Sequence, residues 1–259
     1  MILHLSDLHF GTEKKDCMQA IEHIVQQYPF EAIVVTGDIT QRARAAQFKD
    51  CQQFLNGLQV PYLVIPGNHD IPLYNVWQRF WNPFSLYQRY FGDMQQILET
   101  QHFFIIGLNT VAPHYHTRGV ISEAQIALIG QVLQQAPAEK KKILLTHQPF
   151  YNDPAVQLGR KDQPKQGLLA LQHWSQFGLD AVLHGHLHQA AVFDLNQILQ
   201  LKAEHPVLEI HAGTAISWRL HAGTSNSFNL IDEYLNVEAF HYVPQLKKFV
   251  SEGNLPWQD

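Results

Sequence analysis

The chain has 259 residues, of which 46% are hydrophobic and 16% charged, with a formal net charge of −5. That length allows one large domain or two small ones, and that composition excludes a disordered polymer. The one basic cluster, Lys140-Lys141-Lys142, reads as a solvated helix end, so no concentrated basic face marks a dedicated nucleic-acid binder.

In chain order, apolar runs predict strands at 1–6, 32–36, 60–65, 103–108, 143–146 and 180–184. Amphipathic periodicity predicts helices over 14–28, 44–57, 122–135 and 165–177. Ser122, followed by Glu123 and Gln125, marks a helix start, and Pro137 a stop. Such alternation builds a layered α/β structure with helices covering a largely buried sheet. Beyond residue 185, segments 190–200, 206–211, 226–232 and 236–243 read as strands joined by short turns, which predicts antiparallel pairing and a second sheet. No repeat or linker divides the chain, so one domain spanning 1–259 is expected. The aromatic stretch 72–92 reads as helical packing, with roofing of a pocket as the alternative.

Cys17 and Cys51 form no CxxC pair, which excludes a thiolate metal site and points to a reducing compartment. The N-terminus lacks the basic and apolar regions of a signal peptide, and no apolar window approaches the roughly 20 residues that span a bilayer. A cytoplasmic protein without a transmembrane segment is expected. Against two cysteines and three methionines stand 16 histidines.

Most predicted strands end in a polar cluster. "LSDLH" places Asp7 and His9 after the first, "VVTGDIT" places Asp38 after the second, and "PGNHD" follows the third. "LLTHQP" places His147 after the fifth, and "VLHGHLH" places His186 and His188 after the sixth. The carboxyl ends of strands in an open α/β sheet converge on one rim, where ligands bind. Two Asp, one Asn and four His form an oxygen and nitrogen donor set for divalent first-row metals. Seven donors exceed one tetrahedral site and suit two ions sharing a carboxylate, as in two-metal hydrolases. The i, i+2 pairs Asp7/His9 and His186/His188 point one way on a strand, or merely stay close on a loop.

The order "DLH … GD … GNHD … H … GHLH" resembles the calcineurin-like metallophosphoesterase superfamily, from Asp7 to His188. "SDLHFG" and "PGNHDIP" look most similar to class III cyclic nucleotide phosphodiesterases of bacteria. The resemblance implies an α/β fold, a four-layer α/β/β/α sandwich with two mixed central β-sheets. It implies that Asp7, His9 and His188 hold one metal, that Asn68, His147 and His186 hold the other, and that Asp38 bridges them. His69 would be the catalytic histidine that binds no metal, and Asp70 would accept a hydrogen bond from it. Iron and manganese are the implied ions, with zinc as a third candidate.

The implied reaction is phosphodiester hydrolysis by a hydroxide bridging the two ions, with 3′,5′-cyclic AMP the first-choice substrate. A small-molecule diester is thus the expected partner, and a homodimer the expected assembly. Pyrophosphate or diester cleavage in a UDP-linked lipid ranks next, then a nuclease, then a retromer-like scaffold without activity. The scaffold reading conflicts with a ligand set in which every position is filled. "APHYHTRG" offers His114, His116 and Arg118 as a substrate loop. Arg42 and Arg44 read as helix-capping residues that alternatively reach a phosphate, and His4 and His184 as satisfied core histidines. His211 carries no assigned role.

Overall fold

Strand β1 (Ile2–Leu5) shows how the architecture is built, because its side chains feed two different cores. Ile2 points between two sheets, while Leu3 and Leu5 point to a helical layer. The computed structural model describes residues 1–73, 75–152, 161–220 and 223–258. The first half runs β1, α1 (Lys15–Gln27), β2 (Ala32–Thr36), α2 (Ala45–Gly57), β3 (Tyr62–Ile65), α3 (Val76–Trp81) and α4 (Ser85–Phe91). It continues with β4 (Ile97–Glu99), β5 (Phe103–Gly107), α5 (Glu123–Gln135), β6 (Lys141–Leu145), α6 (Gly167–Trp174) and β7 (Ala181–His184). The rest comprises β8 (Ala191–Asp194), α7 (Leu195–Leu199), β9 (Leu208–His211), β10 (Ser227–Ile231), β11 (Val237–Val243), β12 (Lys248–Asn254) and β13 (Trp257–Gln258).

Among the described residues these strands form a six-stranded sheet, β12-β11-β10-β1-β2-β3, and a seven-stranded sheet, β13-β8-β9-β7-β6-β5-β4. Both are mixed. β1, β2 and β3 are parallel while β10, β11 and β12 add antiparallel. β5, β6, β7 and β9 are parallel, with β4 antiparallel to β5, β8 antiparallel to β9, and β13 parallel to β8. The two sheets face each other through Ile2, Val34, Leu63 and Ile65 on one side and Ile105, Ile143, Leu183 and Ile210 on the other. Their outer faces pack on α1 and α2 and on α5 and α6, through separate clusters. This is the four-layer sandwich implied by the resemblance. Strands buried on both faces must read as unbroken apolar runs, which is why their sequence positions were so plain.

Three readings are corrected. Residues 195–199, expected to be strand, form α7, because the Asp194 carboxylate accepts from Asn196 N at 2.9 Å and starts a helical turn. Lys141 and Lys142 open β6 rather than end a helix, and the cluster is paired. Lys140 meets Glu99 at 2.6 Å, Lys141 meets Asp180 at 3.2 Å, and Lys142 donates to Leu133 O and Phe177 O. The aromatic stretch 72–92, whose Tyr74 lies outside the described residues, divides by helix. On α4, Tyr87 is buried and donates to Val64 O at 2.7 Å, whereas on α3 Trp77 is 77% and Trp81 82% exposed.

Candidate metal centre

The loops that follow β1, β2, β3, β6 and β7 bring all seven expected donors together. They do so with unusual backbone. Asp7, His9, Asp38, His186 and His188 have φ of 51, 45, 49, 65 and 57°, the left-handed region that side chains other than glycine disfavour. Left-handed backbone recurring at five residues of one small site points to a functional constraint. It also settles the i, i+2 pairs. Both lie on loops beyond their strands, and the left-handed turns aim the side chains inward.

Two glycines permit the approach. A Cβ on Gly185 would land on Ser6 Oγ and Asp7 Oδ2, and one on Gly67 would strike the Asp38 backbone and carboxylate. These motif glycines are required by space between loops.

Asp7, His9 and His188 converge, and so do Asp7, Asp38 and His147. His188 Nε2 lies 3.2 Å from Asp7 Oδ1, and His9 Nε2 lies 3.8 Å from both Asp7 Oδ1 and Asp38 Oδ2. On the other side, His147 Nε2 sits 3.4 Å from Asp38 Oδ1, 3.0 Å from Asn68 Oδ1 and 3.2 Å from His186 Nδ1. One oxygen of Asp38 therefore faces each group. Outer partners orient the rings: Thr36 O accepts from His147 Nδ1 at 2.8 Å, Thr214 Oγ1 lies 2.7 Å from His188 Nδ1, and Asp162 lies 3.3 Å from His186 Nε2.

The site fits cations. Asp7 Oδ1 and both ring nitrogens of His9 are buried without a hydrogen-bond partner, and two adjacent carboxylates lie out of water. Buried charge of one sign demands compensation. Protonation states agree at Asp7, His9 and His147, whereas against burial the Asp7 carboxylate raises the His188 imidazole. Burial opposes ionisation of Asp7, yet the charge and contact of His188 hold its carboxyl well below the usual range. Burial pushes the His9 imidazole down to about 4 and lowers His147 too. Ionised carboxylates and neutral imidazoles are the forms that ligate.

His69 and Asp70 do not pair as expected. The three-residue helical turn Asn68–Asp70 turns Asp70 inward, where its carboxylate accepts from Gly67 N at 2.8 Å, Ile39 N at 3.0 Å, Thr40 N at 2.7 Å and Thr40 Oγ1 at 2.8 Å. Asp70 thus clamps the Asp38 loop to the Asn68 turn. Burial, and then the Asp38 charge, push its carboxyl up to about 7 against these donors. Replacing it by alanine leaves three backbone N–H groups without this acceptor. Asp70→Ala is expected to cost roughly 2–3 kcal/mol in urea unfolding, together with metal affinity. Full stability with only turnover lost would contradict the clamp.

His69 looks elsewhere. Its backbone N–H donates to Asp38 Oδ1 at 2.8 Å, its Nδ1 lies 3.2 Å from Gln41 O, and its Nε2 lies 3.3 Å from Arg219 Nη1. Arg219 also donates to Gln41 Oε1 at 3.0 Å. Sequence reasoning missed Arg219, which lies in an irregular segment 150 residues from its partner and carries no motif.

A cavity of about 200 Å³ opens here, lined by Asn68, His69, Gln41, Arg42, Leu73, Arg79 and His116 among others. Of His114, His116 and Arg118 on the expected substrate loop only His116 lines it, next to Thr117. The exposed His114 meets Phe80 with ring centroids 5.2 Å apart and planes inclined at 31°, and the exposed Arg118 lies outside the lining. The two arginines of "QRAR" part company: Arg42 lines the cavity, and Arg44 sits at the start of α2, where Gln47 Oε1 accepts from its backbone N–H at 3.4 Å. Arg79 is buried and donates to the carbonyls of Pro72, Pro113 and Tyr115, which pins the loop that carries His116.

A four-layer sandwich whose strand-end loops gather paired carboxylates and imidazoles defines a phosphoester-hydrolysing enzyme of the metal-dependent kind. The chain belongs to the calcineurin-like phosphoesterase family, whose model matches residues 1–190 and so includes every donor named above. A probable cyclic nucleotide phosphodiesterase of Vesicomyosocius okutanii is 23% identical over 85% of this chain and 92% of its own. The 3′,5′-cyclic adenosine monophosphate phosphodiesterase CpdA of Escherichia coli K12 is 28% identical over 58% of this chain and 55% of its own. Among solved structures, the purple acid phosphatase PPD1 of yellow lupin superposes with a TM-score of 0.64 at 12% identity, over 99% of this chain and 53% of that one, which bears on the fold alone. Among the described residues no helix is long and apolar enough to cross a membrane.

Proposed function

We propose that the protein is a phosphodiesterase acting on 3′,5′-cyclic nucleotides, cyclic AMP first, with two metal ions, manganese or iron, held by Asp7, His9 and His188 and by Asn68, His147 and His186 across Asp38. The observation that carries this reading is the juxtaposition of Asp38 between two donor groups with His69, which lines a cavity and contacts Arg219, beside it. The names of the related proteins support the substrate class. When bound, the ions neutralise phosphate oxygens and lower the pKa of attacking water.

The rest falls to side chains. A guanidinium only donates and a carbonyl only accepts, so both neighbours of His69 specify one tautomer, with its proton on Nδ1 and a lone pair on Nε2. Arg219 therefore occupies Nε2 until an anionic diester draws it away. Nε2 then takes a proton from solvent and delivers it to the departing alkoxide, returning to neutral imidazole. Arg219 binds the diester in this scheme. Losing a charged hydrogen bond costs about 1.5–3 kcal/mol, so Arg219→Ala is expected to lower kcat/KM roughly 10–150-fold. Unchanged kinetics would remove Arg219 from the site.

A second reading rests on the exposed side chains around α3. Leu73 lines the cavity and is 42% exposed, and Trp77, Phe80 and Trp81 are exposed nearby in sequence. That apolar lip suits a diester or pyrophosphate carrying an acyl chain, such as a UDP-linked lipid. The deciding experiment compares rates of the manganese-loaded protein on cyclic AMP, bis-p-nitrophenyl phosphate and a UDP-linked lipid. Cyclic AMP hydrolysis at the highest kcat/KM is expected. Cleavage of the generic diester with none of cyclic AMP would overturn the first reading.

A further inference from the structure

A second constellation of donors lies outside the centre described above and shares none of its residues. His184 ends β7 and His211 ends β9, in register with each other across the parallel pair. Glu209, two residues before His211, presents its side chain to the same face. All three are buried, and one donor atom from each lies within 4.8 Å of the others.

Their geometry is that of donors without an acceptor. His184 Nε2 lies 2.9 Å from Glu209 Oε1, and His211 Nε2 lies 3.9 Å from Glu209 Oε2, yet neither nitrogen has a hydrogen-bond partner. The two rings stand 3.9 Å apart between centroids, inclined at 55°. His184 Nδ1 lies 3.0 Å from Gly185 O, a carbonyl that can only accept. The ring proton is therefore on Nδ1, and the Nε2 lone pair faces a carboxylate oxygen at 2.9 Å. Two lone pairs at that distance repel unless a cation lies between them. A second proton is the alternative, but neither contact meets the geometry of a hydrogen bond.

The carboxylate is also fixed from behind. Phe150 N donates to Oε1 at 2.6 Å and Tyr151 N donates to Oε2 at 2.9 Å, leaving the other lone pair of each oxygen toward the imidazoles. Burial works against ionisation, but the neighbouring histidines hold the Glu209 carboxyl at about 2. Two imidazoles and one carboxylate, with the far nitrogen of one imidazole tied to a backbone carbonyl, form a donor set and an outer arrangement suited to zinc.

We propose that His184, Glu209 and His211 form a further divalent-metal site, suited to zinc, in addition to the pair at Asp38. An ion there would tie β7 to β9 and, through Glu209, to the Phe150–Tyr151 turn just beyond His147. Its role would be structural, because all three donors are closed off from solvent.

The full chain, stripped by chelator, reloaded with zinc and freed of loose ions, tests this by elemental analysis and by anomalous diffraction at the zinc edge. His211→Ala is expected to carry one equivalent fewer than wild type, and the wild-type map to show a peak among His184, Glu209 and His211. No difference in equivalents, or no peak, overturns the site. Should the variant fail to fold, the wild-type map alone decides. A peak here with an empty Asp38 centre would sink the proposed function and leave this inference standing, and the reverse pattern would do the opposite.

Discussion

Asp38→Asn is expected to lose at least one metal equivalent relative to wild type and to reduce turnover by about 10³-fold or more. Asp38 has an oxygen toward each donor group, 3.8 Å from His9 on one side and 3.4 Å from His147 on the other. The amide keeps the shape, and with its oxygen toward the His69 N–H it still accepts that bond. It removes the negative charge, and it puts an NH₂ group, which cannot ligate, in place of Oδ2 toward His9. Lewis-acid stabilisation is worth several kcal/mol, each 1.36 kcal/mol being a factor of ten in rate. Elemental analysis and kcat on the same sample check the result. Full metal content with wild-type turnover would mean that Asp38 joins nothing.

Gly185→Ala should show a related loss without touching a donor. The new methyl collides with Ser6 and Asp7, so Asp7 must move, and disturbing the residues that hold a ligand in place costs about 10–100-fold in metal affinity or activity. A competition titration with a chelator measures it.

How much of this was legible in sequence follows from what each element buries. Strands β1, β2, β3, β5, β6 and β7 are covered on both faces, and their apolar runs are continuous and easily placed. Three of the edge strands, β4, β12 and β13, were not visible. β12 reads "KFVSEGN", in which only Phe249 is buried, and β4 and β13 are three and two residues long. α7 was misread because a local cap by Asp194 outweighed the strand-like run that follows. At the centre, donors were legible because each follows a strand as part of a short motif. Arg219 and Glu209 were not, since one sits on an irregular loop and the other interrupts an apolar strand, and only the tertiary fold brings either to its partners. Asp70 was misassigned for a different reason. Adjacency in sequence suggested His69, but a single helical turn sends neighbouring side chains in different directions.

His69→Ala is expected to keep both metals and lose about 10²–10⁴-fold in turnover on substrates with an alkoxide leaving group. Metal retention follows from the contact His69 makes with Asp38, which is through its backbone N–H and survives the substitution. The rate loss follows from Nε2, the ring nitrogen directed to Arg219 on a side chain that lines the cavity. The leaving group separates proton delivery from phosphate positioning. p-Nitrophenolate departs without a proton, so bis-p-nitrophenyl phosphate should lose far less than cyclic AMP, whose ribose oxygen leaves as a strongly basic alkoxide. An equal loss on both substrates would instead make His69 a support for Arg219, acting on the bound diester rather than on the departing oxygen.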